Sequence, residues 1–259
     1  MTRGTALITG ASSGIGRDFA VCCAQDGWDV VLVARTESAL TTIAAALSKA
    51  HGVRATVVPA DLTDVAAPAA IATRCQRDGI AIDALINNAG FGTSGPFATT
   101  DVAKTVELLQ VNIVALTHLT RLLLPAMLQR RTGRVLNVAS TAAYVPGPLM
   151  ATYYASKAYV VSFTEALSAE LAESGVTATV LCPGPTETNF AAVAGTGASN
   201  LFKHGVVMDA ATVARAGYAG MMRGDLHVIP GLMNKLVAFS SRLAPRTMLA
   251  QIAKRLNAG

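Results

Sequence analysis

The sequence predicts an α/β protein: one domain built on a doubly wound, seven-stranded parallel sheet with helices on both faces. Three observations carry this expectation. Short apolar runs alternate with longer alanine- and leucine-rich segments four times before residue 90. The 259 residues are 52% hydrophobic and only 14% charged, enough apolar material for one large core. No internal repeat, linker or low-complexity tract interrupts the chain, so residues 1–259 read as a single domain.

Thr5 to Thr9 reads as the first strand. It runs into Thr9-Gly10-Ala11-Ser12-Ser13-Gly14-Ile15-Gly16 and then an apolar-periodic helix through Phe19, Ala20 and Cys23. A glycine-rich turn between strand and helix lets a phosphate approach backbone N–H groups at the helix N-terminus. The spacing Gly10, Gly14, Gly16 differs from the common dinucleotide fingerprint, and such turns also occur with no ligand. Asp29 to Ala34 is the second strand, ending at Arg35, and Thr36 to Ala50 is a helix by its alanine content. Arg54 to Ala60 is a third strand closing at Asp61-Leu62. A helix from about Asp64 to Asp78 follows, with Pro68 tolerated in its first turn. Ala84 to Asn87 is a fourth strand, ending in Asn88-Ala89-Gly90.

The segment from Asp101 to Arg130 reads as one long helix, with Asn112 set among Leu108, Leu109, Val111, Ile113 and Val114. A buried amide there satisfies backbone groups or serves a site. Arg134 to Ala139 is the fifth strand and delivers Ser140. A helix spans Thr152 to Glu173, Thr177 to Cys182 is the sixth strand, and Leu226 to Ile229 is the seventh. Residues 189–208, polar and dotted with Gly195 and Gly197, read as a flap over a site. The tail, residues 234–257, interleaves apolar and basic residues around Pro245. Two roles are open for it: packing on the subunit or its partner, which is favoured, or lying on a membrane surface.

Composition narrows the function classes. The net charge is +5, with bases scattered rather than clustered with aromatics, which argues against a nucleic-acid platform. Mean hydropathy is +0.44, yet no uninterrupted run reaches the about 18 apolar residues of a membrane span. The start of the sequence carries no signal-peptide pattern, so a cytoplasmic location is expected. Cys22, Cys23, Cys75 and Cys182 lack metal spacing and read as free thiols, the four histidines are dispersed, and no metal site is expected.

The chemistry centres on Tyr153 and Lys157. Four residues apart on a helix, a phenol and an ammonium share one face. A nearby cation favours the phenolate and fits Tyr153 for proton exchange with a carbonyl or alcohol oxygen. Ligands of doubly wound sheets sit beyond the carboxyl ends of the strands. Gly10, Arg35, Asp61, Asn88, Ser140 and Pro183 all fall at such ends.

In this order the motifs resemble the classical short-chain dehydrogenase/reductase family, over essentially the whole chain. The resemblance implies a Rossmann fold and hydride transfer between a nicotinamide and a carbonyl or alcohol carbon. It implies that Gly10, Gly14 and Gly16 form the cofactor turn, lined by Ser12, Ser13 and Ile15. Asp61 would bond the adenine, Asn88 would stabilise the sheet beside the cofactor, and Thr188 would meet the nicotinamide carboxamide. Leu62, Ala89, Gly90, Pro183 and Gly184 are further cofactor-binding positions. Tyr153 would be the general acid/base, Ser140 would polarise the substrate oxygen, and Lys157 would lower the Tyr153 pKa and hold the nicotinamide ribose. Asn112 resembles the residue whose backbone kink holds a water leading from Lys157 to solvent. Residues 141–148 and the tail resemble a subgroup of bacterial oxidoreductases, which names no substrate.

The cofactor expected is NADP rather than NAD, because Arg35 stands where an acidic residue would repel a 2′-phosphate. Val145, Leu149 and Met150, with Phe190, Leu201 and Phe202 of the flap, would wall an apolar substrate or simply pack the flap down. A catalytically silent, nucleotide-sensing regulator is the alternative, and the intact Ser140, Tyr153 and Lys157 argue against it. A small-molecule carbonyl or alcohol is the expected partner. The two long helices, apolar on more than one face, predict a homodimer or homotetramer.

Overall fold

The alternation of strand and helix places seven parallel strands side by side. The computed structural model describes residues 3–195, 200, 207–241 and 243–258. The strands are β1 (Thr5–Thr9), β2 (Asp29–Ala34), β3 (Ala55–Pro59), β4 (Ala84–Asn87), β5 (Gly133–Val138) and β6 (Val176–Leu181). The short β7 (Thr186–Glu187) and β8 (Met208–Asp209) pair with each other, and β9 (His227–Val228) completes the main sheet. Its order is β3-β2-β1-β4-β5-β6-β9, all parallel, so the chain reverses direction of growth between β3 and β4.

Each central strand is apolar on both sides, as a sheet covered on both faces requires. Ala6, Ile8, Val30 and Leu32 meet one core with Phe19, Leu40 and Val213. These last three come from α1 (Gly14–Gln25), α2 (Glu37–His51) and α8 (Ala210–Arg223). Leu7, Val31, Val33 and Leu85 meet the other with Ile71, Leu119 and Leu167. Those belong to α3 (Ala67–Arg77), α5 (Leu116–Arg130) and α6 (Ala151–Glu170).

Three boundaries differ from expectation, each for a local reason. Helix α3 starts at Ala67 rather than near Asp64, because the Asp61 and Asp64 carboxylates accept from the amides of Thr63 and Ala66, 3.0 and 2.9 Å, and hold turns. Helix α6 stops at Glu170, and Glu173 takes the left-handed conformation, φ 63°. The tail does break at Pro245 as expected, into α9 (Leu232–Ser240) and α10 (Arg246–Asn257). The long helix is three pieces: α4 (Val102–Leu109), a wider π turn over Gln110–Ala115, and α5.

That helical stretch, Val102–Arg130, also matches a membrane span in length, with mean hydropathy 1.5 over its most apolar window. Lys104, Glu107, His118 and Arg121 break it up, so it contains no uninterrupted apolar run of that length. In the fold its Val111, Ala115, Leu119 and Met127 are buried on the sheet. Of the expected flap, Phe190–Ala194 forms helix α7 and the β7–β8 pair joins its two ends; Gly197, Leu201 and Phe202 lie outside the described residues.

Candidate active site

The carboxyl ends of β1 to β5, together with α1 and α6, build the site. Beyond β1 the chain turns through Gly10 and Gly14, both with positive φ (67° and 52°), where an L side chain is strained. A β-carbon on Gly16 would overlap the Gly10 carbonyl and the Asn88 amide, so this glycine lets helix and strand ends close on one another. Asn88 ties the turn to β4: its side chain donates to the carbonyls of Thr9 (2.9 Å) and Gly10 (3.4 Å). Thr9 Oγ1 accepts in return from the amides of Asn88 and Ala89, 3.0 Å each. Thr188, arriving from the far side, packs its methyl against Gly14.

Helix α1 opens with Ser13 as its N-terminal flanking residue, but the Ser13 hydroxyl makes no capping bond and no acid stands in the first turn. Its leading N–H groups are thus left for an anion, which fits the pyrophosphate of a dinucleotide. Ser12, Gly14 and Ile15 are half-buried along this turn, and Ser13 is exposed. Arg35 is exposed past the end of β2, with no ion pair among the described residues. Past β3, Asp61 is exposed and the following Leu62 is buried.

Ser140 leaves β5 in extended backbone. Its hydroxyl accepts from the Ala142 amide (3.1 Å) and donates to the Pro183 carbonyl (3.3 Å), so it is fixed between two loops. It also acts on the Tyr153 phenol, favouring its ionised form. Lys157 lies one turn further along α6, its Nζ 5.8 Å from the centre of the Tyr153 ring and donating to the Val138 carbonyl at 2.8 Å. The spacing that put these two residues on one helix face does bring them together.

Their titration departs from the simple expectation. Tyr153 is pushed up, not down: burial of the phenol outweighs the effect of Ser140. Burial pushes Lys157 down to about 8, with Cys182 opposing. A buried ammonium whose one hydrogen bond among the described residues goes to a carbonyl is poorly compensated, which suits it to further hydroxyl oxygens such as those of a ribose.

Asn112 sits in the π turn. It donates to the Phe91 carbonyl (3.0 Å) and to Ser156 Oγ (3.0 Å) and accepts from the Phe91 amide (3.1 Å). The clasp fixes the chain just after Gly90, where a β-carbon would crowd both Asn112 and Lys157. Gly184 approaches so closely to Asn234 of α9 that it has no room for a side chain. The Thr188 hydroxyl accepts from the Phe190 amide (3.2 Å) and starts α7.

Apolar groups close in around the phenol. Phe190 lies 5.1 Å from the Tyr153 ring, and Met150, Val145 and Phe91 join the same cluster. Leu149 adopts φ 69°, a strained conformation for a branched side chain, while its carbonyl holds the Gly95 amide at 2.8 Å.

A sequence profile described as short chain dehydrogenase matches residues 4–198. The chain belongs to that family. Among solved structures, this short-chain dehydrogenase is similar to one from Sphingobium yanoikuyae in complex with NADPH. That pair is 35% identical with TM-score 0.83, covering 93% of each chain. A bulky-bulky ketone specific alcohol dehydrogenase from Comamonas testosteroni is 31% identical with TM-score 0.79, covering 94% of each. A short-chain dehydrogenase/reductase from Burkholderia phymatum in complex with NAD is 26% identical with TM-score 0.83, covering 98% of this chain and 96% of that one.

Of curated relatives, Ketoacyl reductase HetN from a Nostoc strain is 38% identical over 184 residues, 71% of this chain and 64% of that protein. A very-long-chain 3-oxoacyl-CoA reductase from Phaeosphaeria nodorum is 37% identical over 179 residues, 67% of this chain and 52% of that protein. The chain thus spans between half and two-thirds of the curated relatives it matches. The family is that of the short-chain dehydrogenases, and two of the similar structures hold NADPH or NAD.

Sequence reading passed over several residues that hold the site together. Asn87 and Asn137, paired across β4 and β5, form a buried relay with Thr120 and Thr164 at 2.9–3.0 Å. Asn257 accepts from Tyr154 Oη (3.0 Å) and donates to the Pro148 carbonyl (2.9 Å), tying α10 to the loop before Tyr153. Strand register and a contact across more than a hundred residues are needed to see either. An asparagine at the carboxyl end of each of two adjacent strands was the one available signal for the first.

Proposed function

We propose that this chain reduces a fairly apolar carbonyl compound with NADPH, or oxidises the matching secondary alcohol, with Tyr153 as its proton donor or acceptor. The observation that carries this is the meeting of Tyr153, Ser140 and Lys157 beneath Phe190, Met150 and Phe91. The names of the relatives, ketoacyl and bulky-ketone enzymes, support a substrate of this kind.

The bound nicotinamide supplies or accepts the hydride at the substrate carbon. The remaining work falls to side chains of this chain. In reduction, Tyr153 Oη gives its proton to the carbonyl oxygen as negative charge builds there, and burial keeps that proton in place beforehand. Ser140 Oγ holds the same oxygen from a fixed position and stabilises the developing charge. Lys157 stabilises the phenolate left behind and grips the ribose. Asn112 is a positioning residue, holding Phe91 and Ser156 on either side of Lys157. Gly10 to Gly16 and the open end of α1 take the pyrophosphate, while Asp61, Leu62, Asn88, Ala89, Gly90, Pro183, Gly184 and Thr188 line the rest of the cofactor path.

Arg35 is the residue that favours NADP: an unpaired guanidinium matches a phosphate dianion and stacks on adenine. A charged hydrogen bond contributes about 1.5–3 kcal/mol, so kcat/KM should favour NADPH over NADH by about ten- to a hundredfold. Steady-state kinetics with both reduced cofactors test this, and Arg35→Asp should move the preference towards NADH. Equal or higher kcat/KM with NADH in the unaltered protein overturns the NADP assignment.

A further inference from the structure

The net charge of this chain is not spread evenly. It carries 21 lysines and arginines against 16 aspartates and glutamates. Residues 226–259 hold Lys235, Arg242, Arg246, Lys254 and Arg255 and not one carboxylate side chain, so the other sixteen cations balance all sixteen acids. The whole excess of +5 therefore sits in the tail.

The same segment exposes its apolar residues. In α9 the inner positions are Asn234, against Gly184, and the buried Ala238. In α10 they are Ala253 and Asn257, the latter bonded to Tyr154. With these inner faces engaged, the outer faces carry exposed apolar residues among the described residues. Leu232 is 76% exposed, Phe239 61% and Leu243 77%, with Leu236 beside them. Met248, Ile252 and Leu256, four residues apart along α10, make a second exposed stripe. Lys235, Arg246, Lys254 and Arg255 are all exposed along these helices, and none is in an ion pair among the described residues.

We propose that α9 and α10 form a docking surface for an anionic membrane, with the apolar stripes entering the headgroup region and the cations meeting lipid phosphates. Apolar and basic residues on one outward surface, with no acid between them, are the signature of an interfacial helix pair. A second copy of the chain is a poorer occupant: two-fold pairing of this face would set the cations against their own counterparts, with no carboxylate in the segment to answer them. The anchoring of α10 through Asn257 to the Pro148 carbonyl would hold the mouth beside Tyr153 at the lipid surface. The docking claim does not rest on the reductase reading.

The test is flotation of the full chain with phosphatidylcholine vesicles, with and without phosphatidylglycerol. The chain should float with the anionic vesicles and not with the neutral ones, and added salt should release it. Each basic residue near an anionic surface contributes about fivefold to partitioning, so Lys254→Glu with Arg255→Glu should cut it by at least about 25-fold. A second variant, Leu236→Ser with Phe239→Ser, should lose binding while keeping the native circular dichroism and melting profile. Absence of flotation with anionic vesicles, or unchanged flotation of the charge-reversed protein, overturns the proposal. So does a Leu236→Ser, Phe239→Ser variant whose only change is a smaller mass in light scattering, which would assign the face to a second copy.

Discussion

At the scale of single residues, the neighbouring tyrosines Tyr153 and Tyr154 separate chemistry from architecture. Both are buried, but only Tyr153 meets Ser140 and Lys157, while Tyr154 Oη bonds Asn257 in the tail. Tyr154→Phe should keep turnover and lose about 1–3 kcal/mol of stability, because the buried Asn257 oxygen is left unpaired. Urea unfolding measures that loss, with faster amide exchange expected in residues 246–257. Lys157 carries a pH signature of its own. Its value falls from 10.5 to about 8 on folding, so between those limits the unfolded chain holds a proton that the folded chain lacks. Stability from this group therefore rises with pH across that window, by at most about 1.4 kcal/mol per unit, and the burial penalty is fully present below pH about 8. In Lys157→Met that rise should be missing, which paired unfolding curves at pH 8 and above would reveal. Sequence spacing put Tyr153 and Lys157 on one face. The expectation that Lys157 would lower the Tyr153 pKa fails, because burial prevails at Tyr153.

At the scale of elements, the glycine turn and the π turn have different legibility. Gly10, Gly14 and Gly16 stand out in the sequence because only glycine accepts the positive φ and the close approach found there. Gly16→Ala should cost about 1–3 kcal/mol through overpacking against the Gly10 carbonyl and Asn88, and should weaken cofactor binding along with it. Thermal melts with and without cofactor separate the two effects. The π turn could not be read, since Gln110–Ala115 has the same apolar spacing as the helices on either side. Asn112 marked the place, but the clasp on Phe91 and Ser156 depends on backbone widening that no periodicity encodes. The strands were legible to within a residue or so because each ends in a polar or glycine-bearing group at the site. The short strands β7 and β8, which pair with each other outside the main sheet, were not.

At the scale of the whole molecule, apolar surface is left over where the long helices face outward. Val102, Val106 and Leu122 on α4 and α5 and Tyr159 on α6 are exposed, and Tyr159 Oη and Thr117 Oγ1 are hydrogen-bonded at 3.0 Å. We expect this face to pair across a two-fold axis, so light scattering at micromolar concentration should give at least about twice the 26.6 kDa chain mass. A mass equal to one chain would remove that expectation. The central claim is that the assembled site moves a hydride while Tyr153 moves the proton. It is tested most directly by single-turnover oxidation of bound NADPH with a bulky ketone, comparing the unaltered protein with Tyr153→Phe. The account predicts rapid loss of reduced-cofactor absorbance in the former and a rate about 10²–10⁴-fold slower in the latter, with NADPH still bound. Equal rates in the two proteins would contradict it.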